Sequence, residues 1–391
     1  MSMQPGDASA LTFSLVRDPF FRLQRALRLA PREGLGSVRR AVFFGLLTWV
    51  PTAVWAHFSG RLLPGGSPEP LLSHFAVNVR CLLAIPLLVL SDSLAEAVLR
   101  PIVARFADTG LLPEEKVEKL SEVVRGMERL RDRKFAWLLI AGVVALATFT
   151  GDVRAQHADA LNWAVGERGV GFGGWWFLFV ARPLFLGLVL VWSWRLFLTI
   201  VLFRRIASIG LHLEPQHPDR VGGLGFVEPV PSAFALVTLA LSSVIAGHVA
   251  HEILYHGAHV ASLKAFFVVT IVLLALFALS PLSAFLGPLM RAKARARIEY
   301  GKLAGRHASK VRARWIEGRT VEEEAILTAP ELGSSADVDA LYVSVMSMRA
   351  LPLGKSALLA AFLPAAVPML LAAAVEVPVK QILLKILGAV A

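Results

Sequence analysis

Apolar residues gather along this chain into long unbroken runs, separated by shorter polar segments that are mostly basic. Seven runs reach about the length at which a helix crosses a ~30 Å hydrocarbon core: residues 41–60, 74–99, 134–151, 174–203, 232–256, 264–290 and 356–376. The fourth is the clearest. Trp175 and Trp176 stand at one end of it and Arg204 with Arg205 at the other, as interfacial anchors bracket a spanning helix. The pattern predicts an all-α, polytopic transmembrane helix bundle of about seven spans with helical extensions outside the membrane. The last run is rich in alanine and holds Pro364 and Pro368. If it re-enters instead of crossing, six spans plus a re-entrant hairpin result.

The polar segments carry patterns of their own. Pro113, Glu114 and Glu115 read as a helix start, with acids near the positive end of the dipole. Val117, Leu120, Val123, Val124, Met127 and Leu130 then recur at helical spacing, so 113–133 is expected to be an amphipathic helix leading into the third span. Residues 291–319 are basic and helix-permissive and are expected to project the sixth helix out of the membrane. A break at Glu322 to Glu324 and Gly333 to Ser335 follows, and a second short helix over 337–348 leads back. The chain thus divides into a basic arm (1–40), a six-span membrane domain (41–290), a basic helical segment (291–355) and a last span with an amphipathic tail (356–391). In the arm, seven arginines alternate with Phe20, Phe21, Leu23, Leu27 and Leu29, as in a segment lying on anionic lipids.

Composition agrees with the pattern: 56% of residues are hydrophobic, 18% are charged and the net charge is +11. With the N-terminus placed in the cytoplasm, 31 of the 40 Lys and Arg fall on the inner side, six fall outside and three lie within spans. This asymmetry predicts a cytoplasmic N-terminus. No nucleic-acid recognition motif accompanies the positive charge, so lipids rather than nucleic acid are the expected partners. An oligomer is compatible with the sequence. Cys81 is the only cysteine, which excludes an intrachain disulfide.

Catalytic motifs are missing. Gly354-Lys355-Ser356 lacks the earlier glycine of a phosphate-binding loop, and His251-Glu252…His256 has one residue too many for a zinc-protease helix. An enzyme is the less favoured class. Charges inside the apolar runs are more informative, because each is costly there and needs a partner or a role. Asp92 and Glu96 lie one turn apart on the second run, with Arg195 at comparable depth on the fourth, and these three are expected to form an ion-paired cluster. Arg80 and Arg182 lie nearer the outer side, beyond reach of those acids. They are expected to be compensated by water, by Glu252 or by a bound anion, which would make them a selectivity element.

Two further groups are candidate sites. In the loop from His217 to Phe226, Pro218 sets a turn, Gly222 and Gly223 permit positive φ, and Arg220 could meet an anion at a nest of backbone amides. A compact turn packed on the bundle is the other reading. Seven of the ten histidines fall on the outer side, and His248, His251 and His256 share a helix end. Their chemistry fits a divalent transition metal, a response to external pH, or interfacial hydrogen bonding.

Val79-Arg80, Pro86-Leu87-Leu88, Asp92, Trp194-Arg195, the loop from His217 to Phe226, and Met348-Arg349 together resemble an uncharacterised family of bacterial multi-pass inner-membrane proteins. Asp92 stands where that family's pattern has a glutamate. The resemblance implies the bacterial inner membrane and no particular activity. Two functional classes follow from the residues: a channel or transporter for an ion or small anionic solute, and a non-transporting sensor or scaffold with a histidine-rich external metal or pH site.

Overall fold

The computed structural model describes residues 13–31, 34–63, 70–150, 161–166, 169–318 and 335–376. The expected amphipathic tail and the break after residue 319 lie outside them. Helices dominate. The chain runs α1 (Pro19–Ala26), α2 (Ser37–Phe58), α3 (Phe75–Asp108), α4 (Glu114–Arg131) and α5 (Lys134–Phe149). It continues through α6 (Phe172–Ser208), α7 (Ala235–Tyr255), α8 (Val260–Leu279), α9 (Leu286–Trp315), α10 (Ser335–Met346) and α11 (Lys355–Ala373). The described strands are one small antiparallel hairpin, Val165–Gly166 with Gly169–Val170.

Six helices are long and apolar enough to cross a membrane: α2, α3, α6, the segment ending in α7, the α8–α9 unit, and α11. The protein is an integral membrane protein. The expected third span, α5, has only 16 residues. It nonetheless connects opposite ends of the bundle. Before it, Arg131 Nη1 donates to Ser14 O at 2.6 Å, beside the N-terminal arm. After it, Trp163 packs edge-on against Trp55 near the far end of α2, with ring centroids 6.1 Å apart. The last run forms one continuous helix of 19 residues rather than a hairpin. Pro368 withdraws an N–H from its interior, and Ser242 on α7 donates to the nearby Ala365 O at 2.6 Å.

Two spanning helices contain a π-helical turn, at Arg80–Ala84 in α3 and Phe177–Ala181 in α6. A proline follows each, Pro86 and Pro183. A proline ring inside a helix collides with the carbonyl four residues earlier, and a widened turn moves that carbonyl away. Both π turns lie toward the end of the bundle away from the N-terminal arm. We call the arm's end the basic end.

The core joins α3, α6, α7 and the helical turn between α8 and α9. Trp192 on α6 donates to Leu88 O on α3 at 2.8 Å, and Phe106 packs against Phe203, Phe226 and Phe285. Beyond the membrane, α9 continues α8 as a projecting basic helix, and α10 packs against it. The expected extension of the sixth helix and the short returning helix are both present. The N-terminal arm differs from the sequence reading. Phe13, Leu15, Val16 and Phe21 are no more than 2% exposed, so this part of the arm packs into the bundle, while Leu23 and Leu27 stay exposed. Asp18 lies buried beside these apolar residues.

Candidate functional site

Asp18 begins α1 as its N-cap, a role that the following Pro19 favours. Oδ1 accepts from Phe21 N at 2.8 Å. Oδ2 accepts from Arg195 Nη2 at 2.8 Å and Nε at 2.9 Å. Arg195 also donates from Nη1 to Asp92 Oδ1 at 2.6 Å, and the other oxygen of Asp92 receives Arg40 Nη2 at 2.5 Å. Arg40 in turn donates from Nε to Gln24 Oε1 at 2.6 Å and from Nη1 to Leu35 O at 3.2 Å. Two arginines and two aspartates thus form a continuous, electrically neutral chain, none with a side chain more than 4% exposed. Each guanidinium also covers a ring: Arg40 lies 5.0 Å from the centre of Phe21, and Arg195 4.8 Å from that of Trp192.

The expected Asp92–Arg195 pair is therefore present, whereas Glu96 takes no part in it. Glu96 accepts Ser14 Oγ at 2.7 Å instead, and Arg100 stays exposed. Sequence reasoning passed over Asp18 and Arg40. The signal for Asp18 was the Asp-Pro start of a short amphipathic helix. Arg40 was one of the seven arginines of the basic arm, with nothing local to set it apart from the others.

Arg80 and Arg182 have a different setting. The guanidinium of Arg80 lies 5.4 Å from the ring centres of both Phe177 and Phe185, residues that flank Arg182 on α6. Among the described residues no carboxylate forms an ion pair with Arg80, and the like charge of Arg182 bears on it. Its buried Nε has no hydrogen-bond partner. Arg80 opens the π turn of α3 and Arg182 follows that of α6, so both like charges lie in the half of the bundle away from the basic end. Glu252 is not joined to either of them.

The loop from His217 to Phe226 closes the basic end. Asp219 Oδ1 accepts from Val221 N at 2.8 Å and Gly223 N at 3.2 Å, and Oδ2 from Gly225 N at 2.8 Å. Burial opposes ionisation of Asp219, but these three amides and His217 outweigh it and hold the carboxyl below its ordinary value. The nest suggested for an incoming anion thus holds the loop's own carboxylate. Gly222 and Gly223 have φ of 67° and 92°, and exposed Arg220 adopts 59°, which only this turn accounts for. Arg349 clamps the loop: its backbone N–H donates to Arg220 O at 2.7 Å, and Nη2 reaches Asp219 O at 3.0 Å and Glu228 Oε1 at 2.8 Å.

At the opposite end, His251 stacks on His74 with ring centroids 5.0 Å apart and meets His256 edge-on at 5.6 Å. Its Nδ1 lies 3.3 Å from Ser73 O. His248 is exposed and apart from them. Among the described residues, no group of three or more His, Cys, Asp or Glu side chains is placed to hold a metal ion.

These features define a multi-span helical membrane protein with a neutral, buried ion network in one half and, in the other, two arginines that form no ion pair among the described residues. The chain matches no family model, no curated protein and no solved structure.

Proposed function

We propose that this chain is a channel or transporter for an ion or small anionic solute, with Arg80 and Arg182 as its anion-binding element. One observation carries the reading: Arg80 and Arg182 lie on neighbouring helices in the same half of the membrane-spanning region, with aromatic rings around Arg80 and, among the described residues, no carboxylate paired with either. Charges so placed favour an anion, because a group that neutralises both removes their mutual repulsion as well as their exposure to a poor solvent. The π turns add support, since such turns recur at functional sites in helices. The Asp18–Arg40–Asp92–Arg195 network then acts as the closed barrier on the far side. In this reading the N-terminus is cytoplasmic and the membrane is a bacterial inner membrane, as the placement of basic residues favours.

The test is purified full-length protein in liposomes, with flux of chloride, nitrate and sulfate followed in wild type, Arg80→Gln and Arg182→Gln. Loss of flux in both variants, with normal expression and elution as a folded species, is the expected result. Flux equal to wild type in both would sink the proposal. The stacked pair of His74 and His251 favours a second reading, a non-transporting sensor. It predicts no flux in any variant, with a change of conformation on mild acidification.

A further inference from the structure

A cavity of about 500 Å³ opens at the basic end where α6 stops, α9 begins and α4 starts. It lies apart from both the ion network and the outer arginine pair. Its floor is small and apolar, made by Ala207, Pro288 and Ala292. Its rim is cationic. Arg291 and Arg295 sit four residues apart on α9 and so project from one face. Lys116 comes from α4 and His212 from the strand of loop after α6. Glu299, one turn further along α9, is the single carboxylate in the lining.

The donors are available. Lys116 Nζ gives one hydrogen bond, to Gly210 O at 3.1 Å, and an ammonium has three N–H groups to give. Among the described residues, Arg291 and Arg295 form no ion pair with any acid. The level of the cavity is that of the membrane surface, because exposed Arg204 and Arg205 on the preceding turn of α6 mark the interface. Three cationic side chains lining one cavity with apolar neighbours at that depth match a phosphate attached to a small organic group. Forked guanidinium donors suit phosphate oxygens better than a single carboxylate or halide, and the apolar floor suits a glycerol-like body.

We propose that this cleft binds a phosphate group, carried either by a phospholipid headgroup or by a small soluble phosphate, with Arg291, Arg295 and Lys116 as its donors. The inference does not rest on the transport reading. A solvated basic face would explain the arginines alone. It would not explain why they line one cavity together with a lysine of another helix, while Arg297 and Arg306 of the same helix remain outside it.

Full-length protein tests this with two probes. Native mass spectrometry measures retention of phosphatidylglycerol against phosphatidylcholine from mixed vesicles. Calorimetry measures inorganic phosphate and glycerol 3-phosphate with delipidated protein. Arg291→Gln/Arg295→Gln should weaken at least one probe by about tenfold or more, as loss of two charge-assisted hydrogen bonds implies. Arg297→Gln/Arg306→Gln removes equal charge and should stay within about twofold of wild type, as exposed charges do. Loss confined to phosphatidylglycerol assigns the site to lipid, and loss of phosphate binding assigns it to a soluble ligand. If the first double variant does not fold, Lys116→Gln decides by the same readouts. Equal losses in the two double variants, or no loss in the first pair or in Lys116→Gln, would overturn the proposal.

Discussion

Asp92 Oδ1 lies 2.6 Å from Arg195 Nη1, and this contact joins the second and fourth of the expected spans through the centre of a buried network. With both partners almost fully enclosed, the pair contributes less to stability than its geometry suggests, because two charges have been removed from water. Breaking it is another matter. Asp92→Asn leaves Arg40 and Arg195 with a single carboxylate between them, and a cost of about 3–5 kcal/mol is expected. Thermal unfolding in detergent should show a clear loss, and Arg195→Met in the Asp92→Asn background should recover part of it. A double variant as unstable as the sum of the two single ones would show that the two residues are not coupled.

Asp18 is the only group tying the described part of the N-terminal arm to Arg195, and it also caps α1. Asp18→Ala therefore removes a counter-charge and a cap together. The arm should be released, so that trypsin cleaves at Arg22 or Arg25 in the variant far faster than in wild type. Unchanged cleavage would mean that burial of Phe13, Leu15 and Val16 holds the arm without the ion pair.

The spans, the amphipathic α4 and the extension of α9 were legible in the sequence because hydrophobic period and run length are local signals. So was the Asp92–Arg195 pair, since two opposite charges at equal depth have few other partners. Asp18 and Arg40 were not legible, because their value depends on the arm folding back, a tertiary event with no periodic trace. The loop from His217 to Phe226 was recognisable as a turn from its Pro and Gly residues. That Asp219 fills its own amide nest, and that Arg349 some 130 residues later clamps it, depends on long-range closure. The histidines show the converse. Their spacing suggested one cluster, but helical rotation leaves His248 exposed while His251 turns toward His74 on another element.

The same loop gives a pH prediction. Asp219 has its carboxyl held below the ordinary value in the folded protein, so the folded state prefers the ionised form. The stabilisation is complete above the unfolded value of about 3.9 and is lost as pH falls through the lower folded value. Acid unfolding below about pH 4 should therefore begin earlier in wild type than the other exposed carboxylates alone would cause, and Asp219→Asn should flatten that part of the curve. At neutral pH, Asp219→Ala leaves three amides without their acceptor and should cost about 1–3 kcal/mol.

Gly354 offers a test of the clamp that leaves every charge in place. A side chain there would collide with the Glu228 carboxylate that receives Arg349. Gly354→Ala should displace Glu228, loosen the loop and raise hydrogen exchange at Val221 and Gly225. If exchange at those amides is unchanged, the Arg349–Glu228 pair is not what holds the loop.

The shortest crossing yields the sharpest topological prediction. Helix α5 spans 16 residues, or about 24 Å at the usual rise, against a hydrocarbon core of ~30 Å. Its apolar side chains face outward all the same, with Phe135, Leu138, Leu146 and Phe149 each more than 60% exposed, which suits lipid and not water. Lys134 at its start can extend toward the headgroups, and local thinning of the bilayer costs only fractions of a kcal/mol per Å of mismatch. Crossing is therefore feasible, and the chain requires it, since Arg131 belongs to the basic end and Trp163 to the other. In a Cys81→Ala background, a cysteine at Ser121 should share its labelling by an impermeant thiol reagent with one at Glu214, and a cysteine at Gly166 with one at Ser59. The two pairs should be labelled from opposite sides. If residues 121 and 166 label from the same side, α5 does not cross, and the direction of every later span relative to the arm is reversed.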